Sequence, residues 1–95
     1  MDKLKFYRQR INSLDKKLIK ILHKRLNISE KVAEYKNQKG YEIFQEDREK
    51  ELIKSRKKQG LKYNIDEEHI DEIFNAILKE SRKKQKQTIN KNKGE

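Results

Sequence analysis

One stretch decides the fold of this chain: LKFYRQRINSLDKKLIKILHKRLNISEKVAEYKNQKG, from Leu4 to Gly40. Its apolar and aromatic side chains recur at spacings of three and four residues, the pattern of a helix that packs along one face. We refer to them as the seam: Leu4, Tyr7, Ile11, Leu14, Leu18, Ile21, Ile28, Val32 and Tyr35. Gly40 provides a C-terminal stop. The pattern predicts one helix over residues 3–39, on the order of 55 Å long.

Two shorter helices are expected after this first one. Residues 46–60 start with acidic side chains and finish with basic ones before Gly60, which suits the helix macrodipole. Residues 64–85 begin with Asn64 and Glu67 at the spacing of a capping box. Their apolar stripe has helical spacing and consists of Ile70, Ile73, Phe74, Ile77 and Leu78. Since the chain also lacks proline, the expected fold class is all-α, with three helices of which one is very long.

The length of the first helix indicates a homodimer. The chain has 95 residues, and a compact domain of that size has a radius of gyration of roughly 13 Å. A helix on the order of 55 Å overhangs such a domain, and two shorter helices cannot cover both ends of the seam. A second copy whose long helix lies alongside would give an intertwined, symmetric homodimer. The alternative is an extended three-helix monomer with frayed ends.

Composition narrows the possible classes of protein. The chain contains no cysteine, which excludes disulfides and thiolate metal sites. The opening MDKLKFYRQR has no apolar signal segment, and no run is long enough to span a bilayer, so the expected compartment is the cytoplasm. We expect a folded domain over residues 1–86 and a basic, disordered tail over residues 87–95. With a formal net charge of +10, a basic helical nucleic-acid-binding or scaffold protein stays open as an alternative.

Polar side chains interrupt the apolar faces of the first and third helices. Arg25 occupies a seam position, and Lys36 lies eleven residues further on at nearly the same angle around the helix. Ser81 and Gln85 continue the stripe of the third helix. Together these residues predict a pocket between the two helices that is lined with cations and neutral donors. Such a pocket would suit a small dianion.

Each of these residues also has a plainer explanation when it is considered alone. A buried cation without a partner is costly, so Arg25 would pair with an acid such as Glu49 or set the helix register. Lys36 would be a helix-end lysine that the macrodipole favours. Ser81 and Gln85 would belong to a helix that frays into solvent.

The usual motifs of nucleophilic and metal catalysis do not occur in the sequence. There is no Gly-rich phosphate loop, no HExxH, and no Ser/His/Asp or Cys/His set. His23 and His69 lie in highly polar surroundings and are expected at the surface, so no metal site is predicted. A pocket of cations and donors without a nucleophile indicates chemistry driven by orientation and electrostatics.

Three stretches of the sequence resemble the all-helical class (type II) of chorismate mutases. They are RQRINSLDKKLIKILHKRLNISEKVAEYK at 8–36, DRE at 47–49 and IDEIFNAILKESRKKQ at 70–85. The resemblance covers about residues 4–86. It implies an intertwined homodimer that converts chorismate to prephenate, the branch point toward phenylalanine and tyrosine in aromatic amino acid biosynthesis. It implies that no cofactor is required. A nucleic-acid partner is not expected, because it gives no reason for Arg25, Ser81 and Gln85 to face inward.

The resemblance also implies a catalytic set. Arg25 and an Arg8 supplied by the other subunit would grip the two carboxylates of chorismate, because guanidinium groups pair well with carboxylates. Lys36 and Gln85 would hydrogen-bond the ether oxygen. The reaction breaks a C–O bond and forms a C–C bond without proton transfer or a covalent intermediate. The enzyme would therefore select a compact substrate conformer and stabilise the charge that builds on the ether oxygen.

Further substrate-binding residues follow from the same resemblance. Glu49 would hold the ring hydroxyl, with Arg48 beside it. Ser81 would assist at a carboxylate, and Gln45 would contribute mainly through its main chain. An isochorismate-pyruvate lyase shares this fold and most of this pocket, and it remains an alternative that the sequence separates poorly.

Overall fold

The computed structural model describes residues 2–93, which form three α-helices. These are α1 (Lys3–Lys39), α2 (Glu46–Leu61) and α3 (Glu67–Lys93). No strand is present in that range, so the predicted all-α class with one very long helix is confirmed. None of the helices described is both long and apolar enough to cross a membrane.

The ends of α1 lie where the sequence predicted them. The carboxylate of Asp2 accepts a hydrogen bond from the Leu4 N–H at 3.0 Å and caps the first turn. At the other end Gly40 adopts a left-handed conformation with φ of 71°, which a glycine reaches without steric cost. The Tyr41 N–H then donates to the Lys36 carbonyl at 2.8 Å. Both ends are therefore closed by local hydrogen bonds.

Gly60 does not end α2 as expected, because the helix continues to Leu61. Its role is close packing instead. Gly60 is buried, and a Cβ atom at this position would lie 2.8 Å from Cγ1 of Ile70. The missing side chain lets the end of α2 approach the start of α3.

The predicted capping box at Asn64 is wrong. Asn64 has φ of 57° and belongs to the turn that joins α2 to α3. Asparagine tolerates this left-handed conformation better than most residues do. The carboxylate of Asp66 takes over the capping role, because it accepts a hydrogen bond from the Glu68 N–H at 3.3 Å. The helix therefore starts at Glu67, later than the sequence suggested.

The end of α3 also differs from the expectation. The helix continues through residues 87–93, where the sequence predicted a disordered tail, and residues 94–95 lie outside the described part of the chain. A helix that is already formed extends at little cost, and neither glycine nor proline occurs between Glu67 and Lys93. The Thr88 hydroxyl also donates to the Lys84 carbonyl at 2.9 Å. The domain boundary at residue 86 stays a prediction.

The three helices share a small core, with α3 packed against both α1 and α2. Its buried apolar residues are Ala33, Leu52, Ile70 and Leu78. The radius of gyration is 17.1 Å, well above the value of roughly 13 Å for a compact domain of this size. Residues 2–21 are all exposed, and Leu14 in the seam is 62% exposed. The prediction that two shorter helices leave part of the seam uncovered is confirmed.

Candidate active site

A cavity of about 530 Å³, lined by both polar and aliphatic side chains, lies between the second half of α1, the start of α2 and the second half of α3. Every site residue that the sequence predicted lines this cavity, with the exception of Arg8. They are Arg25, Lys36, Gln45, Arg48, Glu49, Ser81 and Gln85. Polar side chains that are far apart in the sequence thus meet at one cavity.

Arg8 lies away from this cavity, in the exposed first part of α1. The helix is continuous from Arg8 to Arg25, so the two positions are about 26 Å apart along its axis. The side chain of Arg8 cannot reach the cavity of its own chain. Its predicted role therefore needs a second copy of the chain.

Lys36 joins α1 to the connection before α2 and to α3. Its amine donates to the carbonyl of Ile43 at 2.8 Å and to Oε1 of Gln85 at 3.3 Å. The third N–H has no partner among the described residues and remains available to a ligand in the cavity. Burial lowers the pKa of Lys36, and the nearby Glu49 partly opposes this shift.

A buried group of polar side chains links α1 to α3 beside this lysine. Ser29, Ser81 and Gln85 are 5%, 6% and 7% exposed, so Ser81 and Gln85 do not fray into solvent. The two serine hydroxyls lie 2.6 Å apart, and Nε2 of Gln85 donates to the Ser81 hydroxyl at 3.3 Å. Ser29 is not among the site residues predicted from the sequence. Its position four residues after Arg25 and seven before Lys36 puts it on the same face of α1, and this spacing was the available signal.

Arg25 is half-buried and stands among other cations. Burial lowers its pKa, and repulsion from Arg56 and Arg48 lowers it further. Arg25 forms no ion pair within residues 2–93, so the proposed pairing with Glu49 is wrong. A half-buried guanidinium without an acidic partner favours the binding of an anion.

Glu49 pairs instead with Arg82, which the sequence did not single out. The Arg82 guanidinium forms an ion pair and hydrogen bond with Oε1 of Glu49. It also lies 5.2 Å from the centre of the Phe44 ring, within reach of a cation–π contact. In the sequence Arg82 belongs to the basic run RKK and resembles a solvated surface residue. Its contacts hold the carboxylate of Glu49 at the wall of the cavity.

The rim of the cavity is formed by the start of α2. Gln45 is the residue before the helix, and its carbonyl accepts a hydrogen bond from the Glu49 N–H at 3.0 Å. Its side chain makes no capping hydrogen bond. Arg48 is exposed and faces the same cavity. The rim thus adds a second guanidinium to that of Arg25.

The histidines lie outside this arrangement. His23 and His69 are both exposed, as predicted. Within residues 2–93 there is no cluster of three side chains that could hold a metal ion. The cations and hydrogen-bond donors that line the cavity suit an anionic ligand.

Several known proteins have sequences similar to that of this chain. The sequence profile of the family described as chorismate mutase type II matches residues 7–86. The chain is 34% identical over 97 aligned residues to the chorismate mutase of Methanocaldococcus jannaschii, covering 98% of each protein. It is 35% identical over 88 residues to the bifunctional chorismate mutase/prephenate dehydratase of Buchnera aphidicola subsp. Acyrthosiphon pisum. It is 32% identical over 81 residues to the T-protein of Haemophilus influenzae.

The coverage of these relatives differs. The chain spans 23% of the length of the Buchnera protein and 22% of the Haemophilus protein. The matched segments include 93% and 85% of the present chain, respectively. The similarity therefore concerns the whole helical unit described above and only a part of the two longer relatives.

Proposed function

Because this chain belongs to the type II chorismate mutase family, we propose that it converts chorismate to prephenate in the cavity between its helices. The observation that carries this proposal is the convergence of Arg25, Lys36 and Gln85 on one cavity. The direct test is to incubate the purified chain with chorismate and to follow both its disappearance and the appearance of prephenate. A folded chain that leaves chorismate unchanged beyond its spontaneous rate would contradict the proposal.

The rearrangement needs a bound conformer and a stabilised oxygen, and the cavity offers groups for both. Arg25 pairs with one carboxylate of chorismate and holds the molecule in its compact form. The free N–H of Lys36 and the second amide N–H of Gln85 donate to the ether oxygen as its bond to carbon breaks. Negative charge builds on this oxygen, so donors already in place lower the barrier. No proton has to be transferred at any step.

The remaining residues of the cavity bind other parts of the substrate. Glu49, held by Arg82, accepts a hydrogen bond from the ring hydroxyl. Arg48 lies beside it at the rim, and Gln45 contributes through its main chain. Ser81 assists at the carboxylate end. The family assignment favours this activity over both the isochorismate-pyruvate lyase and the nucleic-acid-binding alternatives. The cytoplasmic location stays a prediction.

The active form is proposed to be an intertwined homodimer. The support comes from the first half of α1, residues 3–21, where every seam side chain is exposed, and from the distance between Arg8 and the cavity. A second copy would cover the seam. It would also bring its own Arg8 to the second carboxylate of chorismate. Sedimentation should therefore show a dimer, and a stable, active monomer would remove both parts of this proposal.

Mixing two inactive variants provides a sharper test of the shared site. We expect Arg8→Ala and Arg25→Ala chains to be nearly inactive alone. After mixing and subunit exchange, about a quarter of the parent activity should return, because half of the dimers are mixed and half of their sites are intact. Each variant mixed with itself is the control. If mixing restores no activity although mixed dimers form, Arg8 does not act across the subunits.

The lowered pKa of Lys36 predicts an alkaline limit of activity. Lys36 donates to the ether oxygen only when it is protonated, and burial already favours loss of that proton. The value of kcat/KM, which reports the free enzyme, should fall as the pH rises, with a midpoint below the ordinary lysine value of 10.5. A bound dianion favours the protonated amine, so the profile of kcat should fall at higher pH.

Two pH–rate profiles measure this difference, with circular dichroism at each pH to show that the chain stays folded. If the profiles of kcat and kcat/KM coincide, or if the midpoint of kcat/KM lies at or above the ordinary lysine value, Lys36 does not donate to the ether oxygen.

A further inference from the structure

The hydrogen bonds around Gln85 fix the direction in which its amide points. The amine of Lys36 has donors and no acceptor, so the Gln85 atom at 3.3 Å from it must be the oxygen Oε1. Nε2 then faces the other way and donates one N–H to the Ser81 hydroxyl at 3.3 Å. The second N–H of Nε2 is the one that the proposed mechanism offers to the ether oxygen.

The same reasoning extends through the two serines. The Ser29 hydroxyl donates to the Arg25 carbonyl at 3.1 Å. Its proton is therefore not available for the contact of 2.6 Å with Ser81, and the Ser81 hydroxyl has to donate there. The hydrogen bonds thus run in one direction, from Lys36 through Gln85, Ser81 and Ser29 to the Arg25 carbonyl.

We infer that Ser29 is a positioning residue of the proposed chorismate rearrangement, on which this inference rests, and that it acts by orienting the amide of Gln85. Without the Ser29 oxygen, the Ser81 hydroxyl loses its acceptor on α1. The Ser81 hydroxyl is then no longer held as the acceptor for Nε2 of Gln85, so only the contact with Lys36 fixes the amide and the flipped amide becomes more populated. A flipped amide presents oxygen to a substrate oxygen that is becoming negative.

The surroundings of Ser29 support a role in orientation. Ser29, Ser81 and Gln85 are almost completely buried, so solvent cannot readily replace a lost hydroxyl. Serine is also a poorer helix former than alanine, and Ser29 lies in the interior of α1. Helix stability alone would therefore favour alanine at this position.

A double-mutant cycle tests the inference. Ser29→Ala and Ser29→Cys should each lower kcat by about 3- to 10-fold, the effect of one neutral hydrogen bond, with little change in KM. In a Gln85→Ala background the same Ser29 substitutions should change kcat less than about 2-fold, because the group that Ser29 orients is gone. Ser29→Thr keeps the hydroxyl and should restore most of the activity. Ser55→Ala, a half-buried serine outside the cavity, is the matched control.

Either of two kinetic results would overturn the inference: a parent-like kcat in both hydroxyl-free variants, or the same loss with and without Gln85. Cysteine is close to serine in size and behaves as a small apolar side chain, so the cycle does not depend on the alanine variant alone. If neither variant folds, Ser29 is structural and the inference is wrong.

A measurement on the side chain itself separates this inference from the proposed function. The side-chain amide signals of Gln85 in NMR spectra should show a lower order parameter in Ser29→Ala than in the parent. An unchanged order parameter would contradict the orienting role even if activity fell. If the parent chain left chorismate unchanged, the proposed function would fail, while these amide signals would still report whether Ser29 orients Gln85.

Discussion

Replacing Lys36 with alanine should lower the turnover of chorismate by about 10²- to 10³-fold, the usual loss when one aligned donor to a developing oxyanion is removed. The reason is geometric. Two of the amine's three N–H groups are held by Ile43 and Gln85, which leaves the third able to donate to a ligand in the cavity that Lys36 lines. The measurement is kcat for chorismate at a pH where the lysine of the parent is protonated.

Lys36→Met is the companion variant, because it keeps an apolar stem of similar length and removes only the charged donor. Lys31→Ala, on the exposed face of α1, is the control and should keep the parent turnover. Near-normal kcat in both Lys36 variants would show that this amine does not contact the ether oxygen.

Replacing Arg25 with leucine should separate activity from stability. A guanidinium that makes two charged hydrogen bonds to a carboxylate contributes about 3–6 kcal/mol to binding of the transition state, so kcat/KM should fall by about 10²- to 10⁴-fold. The same change removes a half-buried cation that is repelled by Arg56 and Arg48. The free energy of unfolding should therefore stay equal or rise.

Arg56→Leu is the matched control for this variant. Arg56 is also half-buried and lies 5.9 Å from the Phe74 ring, outside the cavity lining. The Arg56→Leu variant should keep most of the parent activity toward chorismate. Denaturant titration of all three proteins measures the stability. If Arg25→Leu loses stability and activity in parallel, Arg25 is a structural residue.

The sequence predicted the helices well where local signals are strong. The spacing of the seam and the left-handed glycine at position 40 determine both the length and the end of α1. The start of α3 was harder to predict, because Asn64 and Asp66 are both good capping residues, and the choice depends on the turn that leaves α2. Gly60 was misinterpreted for a similar reason. Its contact with Ile70 is made between α2 and α3, and the sequence around Gly60 does not indicate it.

The residues of the cavity likewise differ in how clearly the sequence indicates them. Residues that break an apolar pattern, such as Arg25 and Gln85, could be found from their spacing. Arg82 could not, since arginine is common in basic runs, and the spacing of Ser29 was a weak signal, since serine is common in helices. Their importance comes from contacts with Ser81 and Glu49 across the interface between helices. Such pairings depend on how the helices are rotated against each other, which one sequence does not determine.

The exposed first half of α1 has a consequence for the folding and assembly of this protein. If the chain pairs as proposed, a newly made copy carries a row of uncovered apolar side chains until it meets a second copy, and such rows are sites of misassembly and proteolysis. The time spent in that form shortens as more chains accumulate, because association depends on concentration. On the proposed assembly, the chain is therefore most vulnerable at low levels of synthesis, because it waits longest for a second copy.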